Sequence, residues 1–139
     1  MAKRTLYLVT YDRGTYSTTG KVKPYHWSYF IRTEVSGSKY LGIEHQLRGM
    51  PGAFYYMGPE LVDLNKSDSR KEELEVGEID ESALPKVHDI LKQLRIDKVE
   101  SSGWNCQDWT LDGFEKLKAQ GLVYEYLTPD AVKNWLRET

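Results

Sequence analysis

The chain has 139 residues, of which 40% are hydrophobic and 29% charged, a composition typical of one folded domain over residues 1–139. Its 19 basic and 21 acidic side chains give a formal net charge of −2, which argues against a general nucleic-acid binder. The single cysteine excludes an internal disulfide and a zinc site built from several cysteines. Since no apolar run approaches the ~20 residues of a membrane-spanning helix, we expect a cytoplasmic protein with no integral membrane segment.

The amino-terminal half of the chain has the pattern of a β-sheet. Runs of β-branched and aromatic residues, separated by turn signals such as Ser36-Gly37-Ser38, predict strands over residues 4–11, 25–33 and 40–48. Further strands are predicted over residues 53–57 and 61–64, as one strand broken at Gly58-Pro59 or as two, and at an edge over residues 74–79. The charged run 65–73 has no apolar member and predicts a solvated loop.

The carboxy-terminal half has the pattern of helices. Ser82 predicts the N-cap of a helix that runs through Leu94 with an apolar stripe, and His88 lies off that stripe as a surface residue. A second helix is predicted from Asn105 to a stop at Gly121, and Thr128 precedes a third, short helix. The predicted fold class is therefore α+β, an antiparallel sheet of four to six strands packed against the Asn105 helix and two further helices.

The start of the second helix contains the only cysteine. Asn105 is a strong N-cap residue and Asp108 follows three positions later, an arrangement similar to a capping box. Cys106 would then occupy the first helical position, where free N–H groups and the helix dipole favour thiolate over thiol. This placement is typical of nucleophilic cysteines, although a lone cysteine can also be a small buried apolar residue.

A cysteine nucleophile needs a base, and the strands supply His26 and His45. If Ser36 and Gly37 form the centre of a two-residue hairpin, His45 pairs with Ser28 and shares a face with His26. The two rings and the thiol would then form a nucleophile, base and orienting group. A three-residue turn would instead separate the histidines onto opposite faces, and a histidine among apolar residues is more often a core residue.

These motifs resemble those of a known enzyme group. The segment Tyr25-His26-Trp27-Ser28, the second histidine at His45 and the helix start Asn105-Cys106-Gln107-Asp108-Trp109 resemble the lecithin:retinol acyltransferase and HRAS-like phospholipase/acyltransferase group. That group has a permuted papain-like fold of the NlpC type, with the histidines before the cysteine. The resemblance implies Cys106 as nucleophile, His26 as base and His45 as third member, acting on an acyl ester, lipid or peptide.

The chain departs from that group at the helix start, where Gln107-Asp108-Trp109 replaces Glu-His-Phe, and we expect no carboxy-terminal membrane anchor. It is also similar to the PPPDE thiol isopeptidases, which place a histidine before the cysteine. Uncharacterised fungal proteins with a His-Trp strand and an Asn-Cys-Gln helix start look similar too, and they imply no activity.

The enzyme hypothesis is acyl hydrolysis or transfer through a thioester, with no cofactor. The Cys106 N–H is the expected first oxyanion donor, and the candidates for a second donor or a substrate contact are Gln107, Tyr25, Tyr11, Asn105 and Trp27. A zinc ion held by His26, His45 and Cys106 is a less favoured reading. The rival hypothesis is an inactive binding module, whose clustered aromatic residues would hold a peptide or small ligand.

Overall fold

The computed structural model describes residues 3–36, 39–67 and 69–136. Seven strands lie within these ranges: β1 (Lys3–Tyr11), β2 (His26–Ser36), β3 (Lys39–His45), β4 (Leu47–Arg48), β5 (Tyr55–Tyr56), β6 (Glu60–Asp63) and β7 (Arg70–Asp80). The α-helices of the same ranges are α1 (Leu84–Lys92), α2 (Cys106–Ala119) and α3 (Pro129–Trp135). No helix in the described ranges is long and apolar enough to cross a membrane.

Five strands form one antiparallel sheet in the order β6-β3-β2-β1-β7, and β4 and β5 pair separately as a small ribbon. The α+β class is therefore confirmed. The predicted third strand is shorter than expected, because the chain leaves β3 after His45 and Leu47 begins the ribbon. Of the alternatives for residues 53–64, two short strands form, and they belong to different sheets.

The edge strand β7 is present but longer than predicted. It begins at Arg70, so a loop over the whole of residues 65–73 is wrong. Its backbone pairs with β1 from Tyr11↔Arg70 to Lys3↔Asp80. This pairing satisfies the backbone hydrogen bonds of the segment, while its polar side chains can remain at the edge of the sheet. Hydrophobic patterning alone misses such a strand, because only part of it is buried.

The helices start and end largely as their capping residues predict. The Asn105 side chain accepts from the Gln107 N–H at 2.9 Å, and the Asp108 carboxylate accepts from the Asn105 N–H at 2.9 Å, which completes a capping box. Thr128 caps α3 through the Ala131 N–H at 3.1 Å. Ser82 does not cap α1, because it lies within a 3₁₀ turn, Glu81–Ala83, that precedes the helix.

The main core lies between α1, α2, α3 and one face of the sheet, here called the helix face. Its centre includes Trp27, Tyr29 and Ile31 of β2 and Trp109 and Phe114 of α2. The apolar stripe predicted for α1 packs against this core, with Val87 and Leu91 buried. Val132 of α3 and Leu136 directly after it are buried, whereas Trp135 is 67% exposed. A smaller apolar cluster around Val9, Phe30 and Leu64 covers the opposite face, here called the far face.

Gly113 allows α2 to approach its neighbours closely. A Cβ atom at this position would lie 2.9 Å from Leu91 Cδ2 and 3.2 Å from the Tyr29 hydroxyl oxygen. The close approach at this glycine therefore involves α1 as well as the sheet.

One extra residue in β2 determines the register of β2 and β3. The pairs Ser36↔Lys39 and Glu34↔Leu41 are followed by Arg32↔Gly42, so Thr33 is unpaired in a β-bulge. Beyond the bulge His45 pairs with Tyr29, not with Ser28, and the expected hairpin register is wrong. Gly37 and Ser38 of the predicted turn lie outside the described residues. His45 therefore lies on the helix face, whereas His26 and Ser28 lie on the far face.

Candidate functional site

A cleft of about 570 Å³ lies where β1 ends, β2 begins and the amino terminus of α2 approaches the sheet. Cys106 and His26 both line it. The other side chains of its walls come mostly from the loop after β1, the end of β3, the β4 region and the segment before β7: Tyr11, Asp12, Arg13, Glu44, Gln46, Leu47, Arg48, Phe54, Ser67 and Ser69. The cleft thus joins two of the three residues that the sequence singles out for acyl transfer, without His45.

Cys106 is the first residue of α2 and is only 3% exposed. Burial raises the pKa of its thiol, and this effect outweighs the Trp27 backbone N–H and the Arg13 charge, which both lower it. The expectation that the helix start favours the thiolate is therefore wrong for the free protein. Desolvation disfavours the charged form more than the helix terminus supports it, so the resting residue is a neutral thiol.

His26 begins β2 and is oriented by Gln46, a residue that the sequence analysis did not select. The His26 Nε2 atom lies 2.7 Å from Gln46 Oε1. The amide nitrogen of Gln46 donates to Glu44 Oε1 at 3.0 Å and to Glu60 Oε2 at 3.3 Å. Because two carboxylates face the amide nitrogen, its oxygen must face His26, and the ring must carry a hydrogen on Nε2. In the neutral ring this leaves Nδ1 as the basic atom.

The His26 ring is uncharged near neutral pH. Burial lowers its pKa, while the Gln46 hydrogen bond and the Glu44 charge raise it and the charges of Arg13 and Arg48 lower it further. A neutral thiol and a neutral imidazole therefore line the same cleft. A general base and the thiol that it deprotonates must start in these neutral forms, which differ from a preformed thiolate–imidazolium pair.

His45 lies in a different environment, which the structure separates from the cleft. Its Nδ1 atom is 2.6 Å from the Tyr56 hydroxyl oxygen, and the same hydroxyl lies 2.9 Å from His88 Nδ1. Burial and the His88 charge lower the pKa of His45 to about 4. His88 is half-buried and bonded, so its interpretation as an inert surface residue is also wrong.

The separation of the histidines also affects the metal hypothesis. His26 and His45 lie on opposite faces of the sheet, so they do not form the zinc site with Cys106 that was the less favoured reading. Within the ranges that the structure describes, no group of three or more histidine, cysteine, aspartate and glutamate side chains is arranged to hold a metal ion.

The remaining candidates have different surroundings. The Tyr11 hydroxyl donates to Glu44 Oε2, so it is already engaged and is not placed as an oxyanion donor. Gln107 Nε2 donates to the Tyr25 backbone oxygen at 2.9 Å, beside Cys106 Sγ, which lies 4.0 Å from the same oxygen. Trp27 is buried on the helix face, and its Nε1 has no hydrogen-bond partner among the described residues. Asn105 is committed to the cap of α2.

A signal for Gln46 and Glu44 was present in the sequence. Both alternate with His45 along residues 40–48, as His26 and Ser28 alternate with Trp27 along the preceding strand. Two polar faces on neighbouring strands favour a register that pairs them, and Ser28 does donate to Glu44 Oε2 at 2.7 Å. A choice of candidates by residue type selects His45, because histidine is a common base, and omits Gln46 beside it.

The comparison with protein families gives one match. The model of a family of unknown function, DUF6540, matches residues 6–124, and the chain belongs to this family. No curated protein and no solved structure matches the chain.

Proposed function

We propose that this DUF6540 chain is a cysteine-dependent acyl hydrolase or acyltransferase with a permuted papain-like arrangement of its site. The observation that supports it is the cleft shared by Cys106 and His26, with His26 oriented by Gln46. This gives a nucleophile at a helix start, a base on a strand and an orienting amide, in place of the Cys-His-His set expected from the sequence.

The proposed reaction begins with the neutral pair. His26 Nδ1 takes the proton of the Cys106 thiol as Sγ attacks the carbonyl carbon of an ester or amide, and the imidazolium then returns the proton to the leaving group. Water or a second acceptor attacks the thioester and regenerates the thiol. Since the pKa of Cys106 is raised and that of His26 lowered, the proton transfer accompanies the attack and does not precede it.

The developing oxyanion needs donors near Cys106. The Cys106 backbone N–H at the start of α2 is the first, because the amino-terminal N–H groups of a helix have no partner within it. The Gln107 side-chain amide is the second, because its Nε2 is held beside Cys106 and, unlike the Tyr11 hydroxyl, carries two hydrogens, of which the Tyr25 oxygen accepts one. The Leu47 and Phe54 side chains, which also line the cleft, supply apolar surface for the acyl chain, and Arg13 adds a charged group.

The binding-module hypothesis stays as a second candidate, and one observation favours it. A buried thiol with a raised pKa is less reactive than an exposed one. In that case the cleft holds a ligand through polar residues such as Arg13 and Ser69, and Cys106 is only part of its floor.

Acyl-enzyme formation distinguishes the two candidates. The protein is incubated with p-nitrophenyl esters of short neutral acids and of dicarboxylic acids, with phospholipids and with ubiquitin-like conjugates, and p-nitrophenol release and intact mass are followed. We expect turnover of at least one class and a transient acyl adduct. Because Cys106 is the only cysteine, a thiol-linked adduct identifies it directly.

The variants Cys106→Ser and Gln46→Leu complete the test. Cys106→Ser should lose turnover while keeping the melting temperature, and Gln46→Leu should lower kcat by ~10-fold or more, because the ring loses its orienting acceptor. Turnover that survives in Cys106→Ser, or ligand binding without any adduct in the whole panel, would contradict the acyl-transfer proposal.

A further inference from the structure

The Glu44 carboxylate takes no part in the steps above, yet it is the most buried acid at the cleft. The residue is 5% exposed, and it belongs to none of the ion pairs found among the described residues. Its oxygens accept hydrogen bonds from three side chains: Tyr11, Ser28 and Gln46. Burying a carboxylate without a cation is costly, and buried charges of this kind are frequent at functional sites.

We propose that Glu44 is a positioning residue for the reaction at Cys106. Through the Gln46 amide it holds the His26 ring, and its negative charge stabilises the positive charge that the ring gains when it accepts the thiol proton. This inference rests on the proposed function, which it deepens by adding a carboxylate behind the orienting amide.

The geometry assigns this task to Glu44 rather than to Glu60, the other acid that contacts Gln46. Glu60 is paired with Arg48, whose Nη2 lies 2.6 Å from Glu60 Oε1 and whose Nε lies 3.1 Å from Oε2. Its charge is therefore locally compensated. Among the described residues, Glu44 accepts only from neutral donors, so no contact there cancels its charge. It also raises the pKa of His26, against burial and the charges of Arg13 and Arg48.

The proton balance of the step is simple. The S–H bond of Cys106 breaks, a bond forms between Sγ and the carbonyl carbon, and the proton moves to His26 Nδ1. The hydrogen on Nε2 stays in its bond to Gln46 Oε1, and Glu44 receives no proton. Its contribution is electrostatic, as is that of the carboxylate in triads where it supports an imidazolium.

The first test measures the titration of His26 directly, by NMR of the imidazole C–H signals, and requires no substrate. Glu44→Gln is compared with the wild type and with Glu73→Gln. Glu73 is the control, because it also accepts from a tyrosine on the far face, Tyr40 Oη at 2.9 Å, but is paired with Arg70 and does not line the cleft. We expect the His26 midpoint to fall by about one pH unit in Glu44→Gln and to stay unchanged in Glu73→Gln. An unchanged midpoint in folded Glu44→Gln would overturn the inference.

A double variant keeps the test decisive if Glu44→Gln does not fold. The exchange Glu44→Gln with Gln46→Glu keeps one acid and one amide in the network but places the acid directly against the ring. It should raise the His26 midpoint above the wild-type value, because the same charge then lies closer. A midpoint at or below the wild-type value in this double variant would overturn the inference.

Kinetics separate this inference from the proposed function. In the ester assay Glu44→Gln should lower kcat ~10-fold or more with little change in KM, since the charge acts on the transition state. If Cys106→Ser keeps full turnover, the proposed function fails, while the NMR titration still reports whether the Glu44 charge acts on the His26 ring. If Cys106→Ser is inactive and Glu44→Gln keeps the wild-type kcat, the proposed function stands and the positioning inference fails.

Discussion

The two faces of the sheet hold two histidines in opposite chemical situations. His26 borders an open cleft of about 570 Å³ and bonds to an amide that two carboxylates orient. His45 is 1% exposed and bonds to a tyrosine hydroxyl shared with His88, and both histidines line a pocket of about 230 Å³ together with four apolar residues, Ile43, Pro59, Leu84 and Pro85. The comparison shows that a histidine's partners and access, rather than its presence in a strand, decide whether it can serve as a base.

The pattern of hydrogen bonds makes the contrast sharper. Gln46 must accept from His26 because its amide nitrogen faces carboxylates, so the tautomer of His26 is determined. The Tyr56 hydroxyl has one hydrogen, and it donates to one of His45 and His88 while it accepts from the other. The first arrangement leaves a defined basic nitrogen on His26, whereas the second holds β3, β5 and α1 together through Tyr56.

The largest expected effect comes from exchanging each histidine for glutamine. His26→Gln should lower kcat/KM for an ester by ~100-fold or more, because the base is lost. His45→Gln should instead lower the free energy of unfolding by about 1–3 kcal/mol, because a buried hydrogen bond to Tyr56 is lost, with little loss of turnover per folded molecule. Ester assays and urea titrations of both variants check this. An equal loss of turnover in His26→Gln and His45→Gln would indicate that His45 also takes part in the reaction.

The pH dependence of stability should arise mainly from His45. Its pKa is about 4 in the folded protein against 6.5 for the free side chain, so the unfolded chain binds more protons between these values. Stability is therefore complete above about pH 6.5 and decreases as the pH falls towards 4, by up to ~3 kcal/mol from this residue. The lowered pKa of His26 acts in the same direction.

Urea unfolding near neutral and near acid pH measures this dependence. His45→Gln should flatten the profile between the two conditions, because the variant lacks the group that gains a proton on unfolding. If stability decreased as steeply with falling pH in His45→Gln as in the wild type, groups other than His45 would be the cause of that decrease.

A smaller effect is expected from a change at the start of α2. This segment carries Cys106 and therefore affects the cleft, but not the surroundings of His45. Asn105→Ala removes the cap and should cost ~1 kcal/mol of stability. It should also lower turnover, because the first turn that carries Cys106 loosens, while the titration of His45 stays unchanged. Chemical denaturation, the ester assay and NMR of the imidazoles check these points. Full stability in Asn105→Ala would mean that the capping box is energetically unimportant.

The smallest effect concerns Arg13, whose charge lowers the pKa of both Cys106 and His26. Arg13→Gln should reduce the rate of alkylation by iodoacetate a few-fold relative to that by iodoacetamide, because the anionic reagent loses an attractive charge. Arg95→Gln is the control, since Arg95 lies over the Trp104 ring and does not line the cleft. An unchanged ratio of the two rates would place Arg13 too far from the thiol to influence it.

Local interactions alone determined much of this protein. The capping box at Asn105, the position of Cys106 at the first residue of α2 and the stop near Gly121 depend on neighbours a few residues apart, and the sequence predicts them correctly. The same is true of β1 and of the apolar stripe of α1, because periodicity reports which face of an element is buried.

Only the tertiary structure decided which side chains meet. Had the pairing Ser36↔Lys39 continued without the bulge at Thr33, His45 would pair with Phe30 and lie on the face of His26. One unpaired residue thus exchanges His45 for Glu44 on the far face, and only the pairing of the two strands, not the pattern within either strand, decides this. Burial likewise reversed the expected pKa shift of Cys106, because desolvation depends on how the whole chain packs around the thiol, whereas the helix start depends only on its own residues.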